Sequence, residues 1–269
     1  MKKRFLCLGM ALALMAGCMS GCGAKEEPAA GATASSSKGV LTAAAHIDYA
    51  PFEFYEEGVA VGFDVDLWSA ICERMGYEAN FVHFPWDSLV SGLKSGKYDA
   101  IVADMEITDE RLESINFTDP YFYETIGIAV VSASEASDLG DLNGKVIGLQ
   151  TGTVAETWAK DNEATLAPEK FTTYETMADA MMDLEVGRVE AVINNGPYML
   201  YQATINDKIK VMKIVDDEPI NCGIAYSKDK PELGEEINAT LHALIDDGTY
   251  AEIYRKWFGA DPNAAFMPK

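Results

Sequence analysis

Short apolar runs alternate with segments of helical periodicity along most of the chain. The runs have the length of buried strands and cover residues 41–45, 81–84, 99–103, 126–131, 145–149, 170–174, 190–194, 210–215 and 222–227. Helical spacing falls between them, at residues 63–75, 86–94, 153–160, 176–186 and 197–203. This alternation predicts an α/β chain whose sheets are largely parallel.

Helix boundaries can be read near both ends of this pattern. In the helix predicted at 63–75, apolar side chains recur every fourth residue, and Gly76 follows where a helix commonly ends in a left-handed glycine. Residues 231–258 are predicted to form two helices, because Pro231 suits a first helical position and the region of Gly248 interrupts the pattern.

Two twelve-residue segments of the chain resemble each other. Residues 93–104 and 184–195 each end a helix, turn at a glycine followed by a basic residue, and enter a strand through an acid and an alanine. The similarity predicts two lobes of like construction, with Asp104 and Asn195 at equivalent strand exits. Ligands of open parallel sheets bind beyond the carboxyl ends of strands, so both exits are expected at one cleft. The alternative is a chance likeness between two helix–turn–strand units.

The first 22 residues have the composition of an export signal. Basic residues at positions 2–4 precede an apolar run, 5–16, that is too short for a permanent membrane helix. Cys18 and Cys22 each follow small residues, as in the bacterial lipobox, whose cysteine is lipidated and becomes the mature N-terminus. Cys22 is preferred because the chain turns polar directly after it. An ordinary secretory signal is the alternative.

Composition narrows the choice of partners. Residues 23–38 contain no bulky apolar side chain and are predicted to be a flexible tether. The formal net charge is −22 and becomes −25 without the signal, so nucleic acid and anionic lipid are poor partners. Paired acids such as Asp64 and Asp66 are expected at helix N-termini or on solvated faces.

No established catalytic or cofactor motif occurs, whether a nucleophile elbow, a zinc-binding HExxH, a P-loop or a GxGxxG. His46, His83 and His242 are scattered, which gives a metal site little support. No catalytic residue, metal or cofactor is therefore expected. Cys72 and Cys222 are expected to be buried free thiols, with a disulfide between them as the alternative.

Five ordered motifs give the chain a resemblance to a known family. They are YAPFEF (49–54), GFDVDL (62–67), ITDER (107–111) with FTDPY (117–121), QTGT (150–153), and DGTY (247–250) with KWFG (256–259). Together they cover nearly all of residues 40–260 and resemble the family 3 extracellular solute-binding proteins, which deliver polar amino acids to ABC transporters.

The resemblance implies a periplasmic-binding-protein-like fold in which two α/β lobes, joined by two hinge strands, close over a ligand. The implied parts are lobe 1 at about 39–122 and 224–260, lobe 2 at about 126–219, crossings near 123–126 and 221–223, and a C-terminal tail at 261–269. A monomer is expected, anchored to the outer face of the cell membrane by its N-terminal lipid, with an ABC permease as its partner.

The resemblance assigns Arg111 to the ligand α-carboxylate. A guanidinium presents a planar fork that binds a carboxylate through two parallel hydrogen bonds. Nearby acids are expected to orient it while the cleft is empty. Without the surrounding motifs, the default interpretation would be an exposed helix arginine paired with Asp109 or Glu113.

Other site positions carry over from the family one by one. Tyr49, Phe52 and Trp86 match positions in the wall of the ligand site, with a core position as the alternative for Phe52. Thr153 matches a lobe 2 residue that binds the carboxylate through its hydroxyl or through a backbone N–H at a helix start.

Three positions depart from the family pattern. His46 and Asn195 stand where the family commonly has acids, and Glu106 stands where it often has serine or threonine. Asn195 lacks the charge that usually binds the ligand α-ammonium, so Glu106 and Asp104 are expected to supply a counter-charge from the other lobe. These departures leave the identity of the solute open.

The expected function is therefore that of an amino-acid-binding component of an ABC importer. One alternative is a dehydratase-like enzyme on the same scaffold, with Glu106 or His46 as the proton donor to a small carboxylate. Another is a ligand-sensing module of a signalling system.

Overall fold

A computed structural model describes residues 38–262, with the side chains of residues 217–219 excepted. The predicted export signal, the lipidation sites Cys18 and Cys22 and most of the tether lie outside the described residues. Among the described helices, none is long and apolar enough to cross a membrane.

The first lobe is built around a five-stranded sheet in the order β4-β1-β5-β12-β6. Its strands are β1 (Val40–Ala45), β4 (Glu78–His83), β5 (Ala100–Ile101), β6 (Asn116–Phe117) and β12 (Ala225–Tyr226), and a hairpin is formed by β2 (Phe54–Glu56) and β3 (Val59–Val61). Its helices are α1 (Phe63–Met75), α2 (Leu89–Lys94), α3 (Asp109–Ser114), α8 (Pro231–Asp246), α9 (Thr249–Phe258) and a 3₁₀ turn at Trp86–Ser88.

The second lobe has a sheet of the same size in the order β11-β7-β10-β8-β9. Its strands are β7 (Phe122–Val131), β8 (Val146–Gln150), β9 (Lys170–Tyr174), β10 (Ala191–Asn195) and β11 (Ile209–Cys222). Its helices are α4 (Val154–Asp161), α5 (Glu163–Leu166), α6 (Met177–Glu185), α7 (Gly196–Ile205) and a 3₁₀ turn at Leu139–Leu142.

Four of the five strands in each sheet run in the same direction, which confirms the prediction of largely parallel sheets. The reversed strands are β12 in the first sheet and β7 in the second. Each is the strand with which the chain enters that sheet after leaving the other lobe.

Two antiparallel segments connect the lobes side by side. The start of β7 pairs with the end of β11, so that Phe122 lies opposite Cys222 and Glu124 lies opposite Ile220. A register shift separates these pairs from the main part of the β7–β11 ladder. The connection is therefore a narrow two-stranded ribbon within a long pair of strands.

Helices cover both faces of each sheet, which is why the strands read as continuous apolar runs. In β10, Ala191 and Ile193 pack towards α4 while Val192 packs towards α6. The apolar stripe of α1, which includes Phe63, packs against α8 and α9 in the first lobe.

Most element boundaries agree with the sequence prediction to within a few residues. Helix α1 has the predicted limits, and Gly76 ends it with φ 81°. The segment predicted as one helix at 86–94 begins as a 3₁₀ turn and becomes α2. The short elements β2, β3, β6, α3 and α5 had no prediction. Cys72 and Cys222 are buried free thiols, as expected.

Candidate functional site

The two equivalent strand exits meet across the cleft between the lobes. Asn195, at the end of β10, donates from Nδ2 to Asp104 Oδ2 at 3.1 Å, and Asp104 follows β5. Asp104 has φ 45°, a left-handed conformation that aspartate tolerates better than most residues. The turn directs a buried carboxylate into the cleft, where the internal similarity predicts a functional position.

A buried carboxylate below the cleft supports the Asp104 turn. The backbone N–H of Asp104 donates to Asp64 Oδ2 at 2.7 Å, and Tyr121 Oη donates to the same oxygen at 2.9 Å. Asp64 lies in the first turn of α1 and is fully buried, whereas Asp66 binds Lys256 at the surface. Asp64 therefore lies at a helix N-terminus, which was one of the two places expected for such acids, and it is shielded from solvent.

The lobes enclose a cavity of about 20 Å³, which has room for one or two water-sized spheres. From the first lobe it is lined by His46, Tyr49, Glu53, Trp86, Ala103, Asp104 and Glu106, and from the second by Gln150, Thr153, Asn194 and Asn195. Seven of these residues are among the nine predicted ligand-binding positions. A larger outer groove of about 670 Å³ includes Trp86, Thr153 and Arg111.

Direct contacts between the lobes show that the cleft is closed. Tyr49 Oη donates to Asn194 Oδ1 at 3.0 Å, and the Tyr49 ring stacks on Tyr198 with centroids 4.3 Å apart. Trp86 Nε1 donates to the Gly152 carbonyl at 3.2 Å. An amino acid could enter only if these contacts opened.

Arg111 is held in place by an acid of its own lobe. Its Nη1 donates at 2.7 Å both to Glu106 Oε2 and to the Glu106 carbonyl, and its Nη2 reaches the Gly152 carbonyl of the other lobe at 3.3 Å. The guanidinium lies 5.3 Å from the centre of the Trp86 ring, within cation–π range. Arg111 is therefore neither exposed nor paired with Asp109 or Glu113.

Two further predicted positions, His46 and Thr153, have defined partners. His46 Nδ1 lies 2.8 Å from Asp48 Oδ1 at the edge of the cavity. Thr153 caps α4, since its hydroxyl accepts from the Glu156 N–H and donates to the Gln150 carbonyl. A ligand would therefore meet the backbone at this helix start rather than an available hydroxyl.

Phe52 takes the alternative position in the core instead of a place in the wall of the ligand site. It does not line the cavity and is fully buried in the core of the first lobe, where its ring makes edge contacts with Phe63 and Phe122. The turn that presents Tyr49 to the cleft directs Phe52 inwards, and the two rings stack at 5.9 Å. Phe52 supports the wall of the cavity from behind.

The floor of the cleft is an unusually acidic part of the protein interior. Four buried acids have raised pKa values, in each case mainly because burial disfavours the charged form. The pKa of Glu124 rises to about 8 and that of Asp64 to about 7, while the pKa values of Glu53 and Asp104 lie well above their usual range. Glu124 raises the pKa of Asp104 further through its charge and a shared hydrogen bond, whereas the same hydrogen bond lowers the pKa of Glu124 and only partly offsets its burial. The pair therefore holds a proton at neutral pH.

Apart from the protons shared within the acid pairs Asp104–Glu124 and Glu53–Asp64, several buried polar atoms at this site have no hydrogen-bond partner among the described residues. Most are acceptors, namely Glu53 Oε2, Asp104 Oδ1, Asn195 Oδ1 and both carboxylate oxygens of Glu124, and one donor, Asn194 Nδ2, lies beside them. Unpaired buried polar groups are costly, so this arrangement favours a ligand rich in N–H donors. Within the same part of the chain, no group of three or more acidic, histidine or cysteine side chains could hold a metal ion.

Sequence reasoning missed five residues that line or adjoin the cavity: Glu53, Gln150, Asn194, Tyr198 and Glu124. Glu53 and Gln150 lie within motifs that had been recognised but were given no role. Glu124 carried a usable signal, because it is the only charged residue of the largely apolar strand β7. A charge retained in a fully buried strand is seldom accidental.

Comparison with known protein families and sequences gives one consistent result. The sequence model described as bacterial extracellular solute-binding proteins, family 3, matches residues 41–260. The chain is 34% identical over 216 residues to ABC transporter arginine-binding protein 1 of Escherichia coli K12, covering 78% of this chain and 87% of that protein.

Solved structures with similar folds include a binding protein and an enzyme precursor. An ancestral arginine-binding protein bound to arginine has a TM-score of 0.76 and 34% identity, covering 82% of this chain and 98% of that one. An ancestral amino-acid-binding protein described as a precursor of cyclohexadienyl dehydratase has a TM-score of 0.74 and 32% identity, covering 81% and 95%.

Proposed function

The chain belongs to the family 3 bacterial extracellular solute-binding proteins, which here means the amino-acid-binding component of an ABC transporter, and from this premise we propose that its ligand is an amino acid with a cationic side chain. Arginine is the first candidate. Relatives named for arginine, and a structural neighbour bound to arginine, support this choice.

The observation that carries the proposal is the excess of carboxylates around the closed cavity. Glu53, Asp104 and Glu106 line it, and the only cationic group among the described residues that pairs with any of them is Arg111. Apart from the protons shared with Asp64 and Glu124, no donor among the described residues reaches Glu53 Oε2 or Asp104 Oδ1. A guanidinium or ammonium side chain would provide donors and charge for them, because charge-assisted hydrogen bonds are the strongest available in such a site.

We assign the polar ends of the ligand to opposite parts of the cleft. Arg111 binds the α-carboxylate, together with the backbone at Thr153, where α4 begins. The rings of Tyr49 and Trp86 cover the aliphatic part of the side chain. Asp104 and Glu53 face the cationic end.

Opening of the cleft accompanies ligand entry in this proposal. The lobes, at about 39–122 with 224–260 and at about 126–219, separate by bending of the ribbon formed by the start of β7 and the end of β11. The closed arrangement has direct bonds such as Tyr49–Asn194, which a bound amino acid would replace with its own. Closure then excludes water, and the closed form is presented to the permease.

A binding protein suits this site better than an enzyme. The two candidate proton donors are already committed, since Glu106 is bound to Arg111 and His46 to Asp48. One structural neighbour is described as a precursor of a dehydratase, so turnover is the direct test of the enzymatic alternative. Incubation with arginine and with small carboxylates, followed by product analysis, should show no turnover.

The location of the protein follows its relatives, which are named as periplasmic or extracellular. We propose that the mature chain is a monomer, with no metal or cofactor, anchored to the outer face of the cell membrane through a lipid on Cys22 or Cys18. The sequence pattern around these cysteines is the support for this anchor.

Calorimetry with matched amino acids tests the ligand class. Arginine should bind most tightly, with lysine or histidine next. Citrulline, which has nearly the shape of arginine but an uncharged side chain, should bind at least tenfold more weakly, and glutamate should not bind. At a hundredfold excess over its Kd, arginine should add about 2.7 kcal/mol to the free energy of unfolding. Equal affinity for arginine and citrulline would contradict a cationic ligand.

A further inference from the structure

Glu106 is already paired with the Arg111 guanidinium, the group that is expected to bind the ligand carboxylate. Its carboxylate accepts from Arg111 Nη1 at 2.7 Å, and the two side chains are only 2% and 12% exposed, respectively. The same Nη1 also donates to the Glu106 carbonyl. In this form, a protein carboxylate stands where a ligand carboxylate is expected.

Glu106 also stands between Arg111 and the cavity. It lines the closed cavity, whereas Arg111 lines only the outer groove. The backbone of this segment is fixed to β11, because Glu106 bridges to Cys222 and the Ile107 N–H donates to the Asn221 carbonyl at 2.7 Å. The Glu106 side chain can therefore turn while its backbone stays in place.

Glu106 occupies the Nη1 end of the Arg111 guanidinium. Nη1 already serves two acceptors of Glu106, and Nη2 is directed at the Gly152 carbonyl. A bidentate grip on a ligand carboxylate needs two parallel N–H groups. Nε and the second Nη2 hydrogen remain as such a pair, but Glu106 lines the cavity and Arg111 does not, so a ligand in the cavity must displace Glu106 before its carboxylate reaches the guanidinium.

We propose that the ligand binds by an exchange of ion pairs on Arg111. The ligand α-carboxylate takes the guanidinium, and the released Glu106 carboxylate takes the ligand α-ammonium. The exchange replaces one ion pair with two and moves no proton. It supplies the negative charge that neutral Asn195 lacks, and it rests on the proposed function, an α-amino acid in this cleft.

The exchange makes the site selective for zwitterions. A ligand with a carboxylate but no α-amino group would displace Glu106 and leave that charge buried without a partner, which is strongly unfavourable. A ligand with an α-amino group but no carboxylate would leave Glu106 on Arg111 and find no counter-charge there. Only a ligand with both groups satisfies both residues.

Three related compounds separate these cases by calorimetry on the intact protein. They are arginine, 5-guanidinopentanoate, which lacks the α-amino group, and agmatine, which lacks the carboxylate; all keep the cationic end. The wild type should bind arginine at least a hundredfold more tightly than either analogue. In Glu106→Gln, the affinity for arginine should fall at least tenfold and that for 5-guanidinopentanoate should rise at least tenfold. The affinity for agmatine should change less than threefold.

Two further variants make the result decisive. Glu110→Gln removes the same charge from exposed helix α3 beside Arg111 and should leave all three affinities unchanged. Glu106→Ser should reproduce Glu106→Gln, which covers the case in which one replacement disturbs folding. If the wild type binds arginine but 5-guanidinopentanoate does not tighten in either Glu106 variant, the exchange is refuted and the proposed function stands. If the wild type binds none of the three compounds, the proposed function fails and the exchange fails with it.

Discussion

Replacing Glu124 with glutamine should change how the stability of the fold depends on pH. Glu124 lies in the ribbon between the lobes and is fully buried. Asp104 shares a hydrogen bond with it, and the charges of Glu106 and Asp64 also act on it. Burial is the main reason that its pKa rises from 4.5 to about 8.

The sign of the effect follows from where the proton is lost. Between pH 4.5 and about 8, the unfolded chain loses the Glu124 proton while the folded protein keeps it. The folded state is therefore favoured at low pH, and its advantage shrinks as the pH rises. One such proton makes the free energy of unfolding fall by about 1.4 kcal/mol per pH unit. From pH 5.5 to 7.5 the loss is about 2–3 kcal/mol when the approach to both pKa values is included.

Urea unfolding followed by tryptophan fluorescence, at pH 5.5, 6.5 and 7.5, measures this loss. The glutamine in Glu124→Gln does not titrate, so the free energy of unfolding of this variant should improve by about 2–3 kcal/mol relative to the wild type across the range. Glu110→Gln, an exposed replacement of the same kind, should show the wild-type dependence. A difference between Glu124→Gln and wild type that is the same at all three pH values would refute the assignment of a buried proton to this site.

Three other expectations can be tested directly. Arg111→Ala should lower the affinity for arginine at least tenfold in calorimetry and should lower the stability of the fold, because Glu106 is left buried and unpaired. Arg111→Lys should recover only part of the affinity, since a point charge cannot form the bidentate fork. Unchanged affinity in Arg111→Ala would remove Arg111 from the site. Arginine binding near pH 7 should release about one proton, because a cation takes the place of the proton shared by Asp104 and Glu124; equal heats of binding in two buffers of different ionisation enthalpy would count against this. Replacing Cys18 and Cys22 together with serine should move the protein from the membrane to the soluble fraction, and retention at the membrane would disprove the lipid anchor.

The secondary structure was largely readable in the sequence because both sheets are covered on both faces. Such strands need continuous apolar residues, and the intervening helices need one apolar stripe, so each element has a strong local signature. The limits of α1 and its glycine cap were readable for this reason. The elements that escaped prediction, such as β6 and α5, are only two to four residues long and carry too few positions for a pattern.

The internal similarity also carried tertiary information. Two segments of like pattern, one in each lobe, placed Asp104 and Asn195 at equivalent strand exits, and these residues form a hydrogen bond across the cleft. The inference worked because strand direction determines which edge of a sheet a residue occupies. Phe52 shows the limit of this reasoning, since alternate residues of a turn face opposite ways and the motif alone does not say which faces the cleft.

The pairing and protonation of the charged residues were decided only by the tertiary structure. The sequence places Arg111 among many acids, and nothing in the spacing distinguishes Glu106 from Asp109 or Glu113 as its partner. The fold selects Glu106 by burying both side chains and bringing them to 2.7 Å. Likewise, Glu124 and Asp104 are twenty residues apart and share a proton only because the ribbon and the β5 exit meet where water is excluded. Coulomb and desolvation energies depend on distance and burial, and the linear sequence specifies neither for residues brought together by folding.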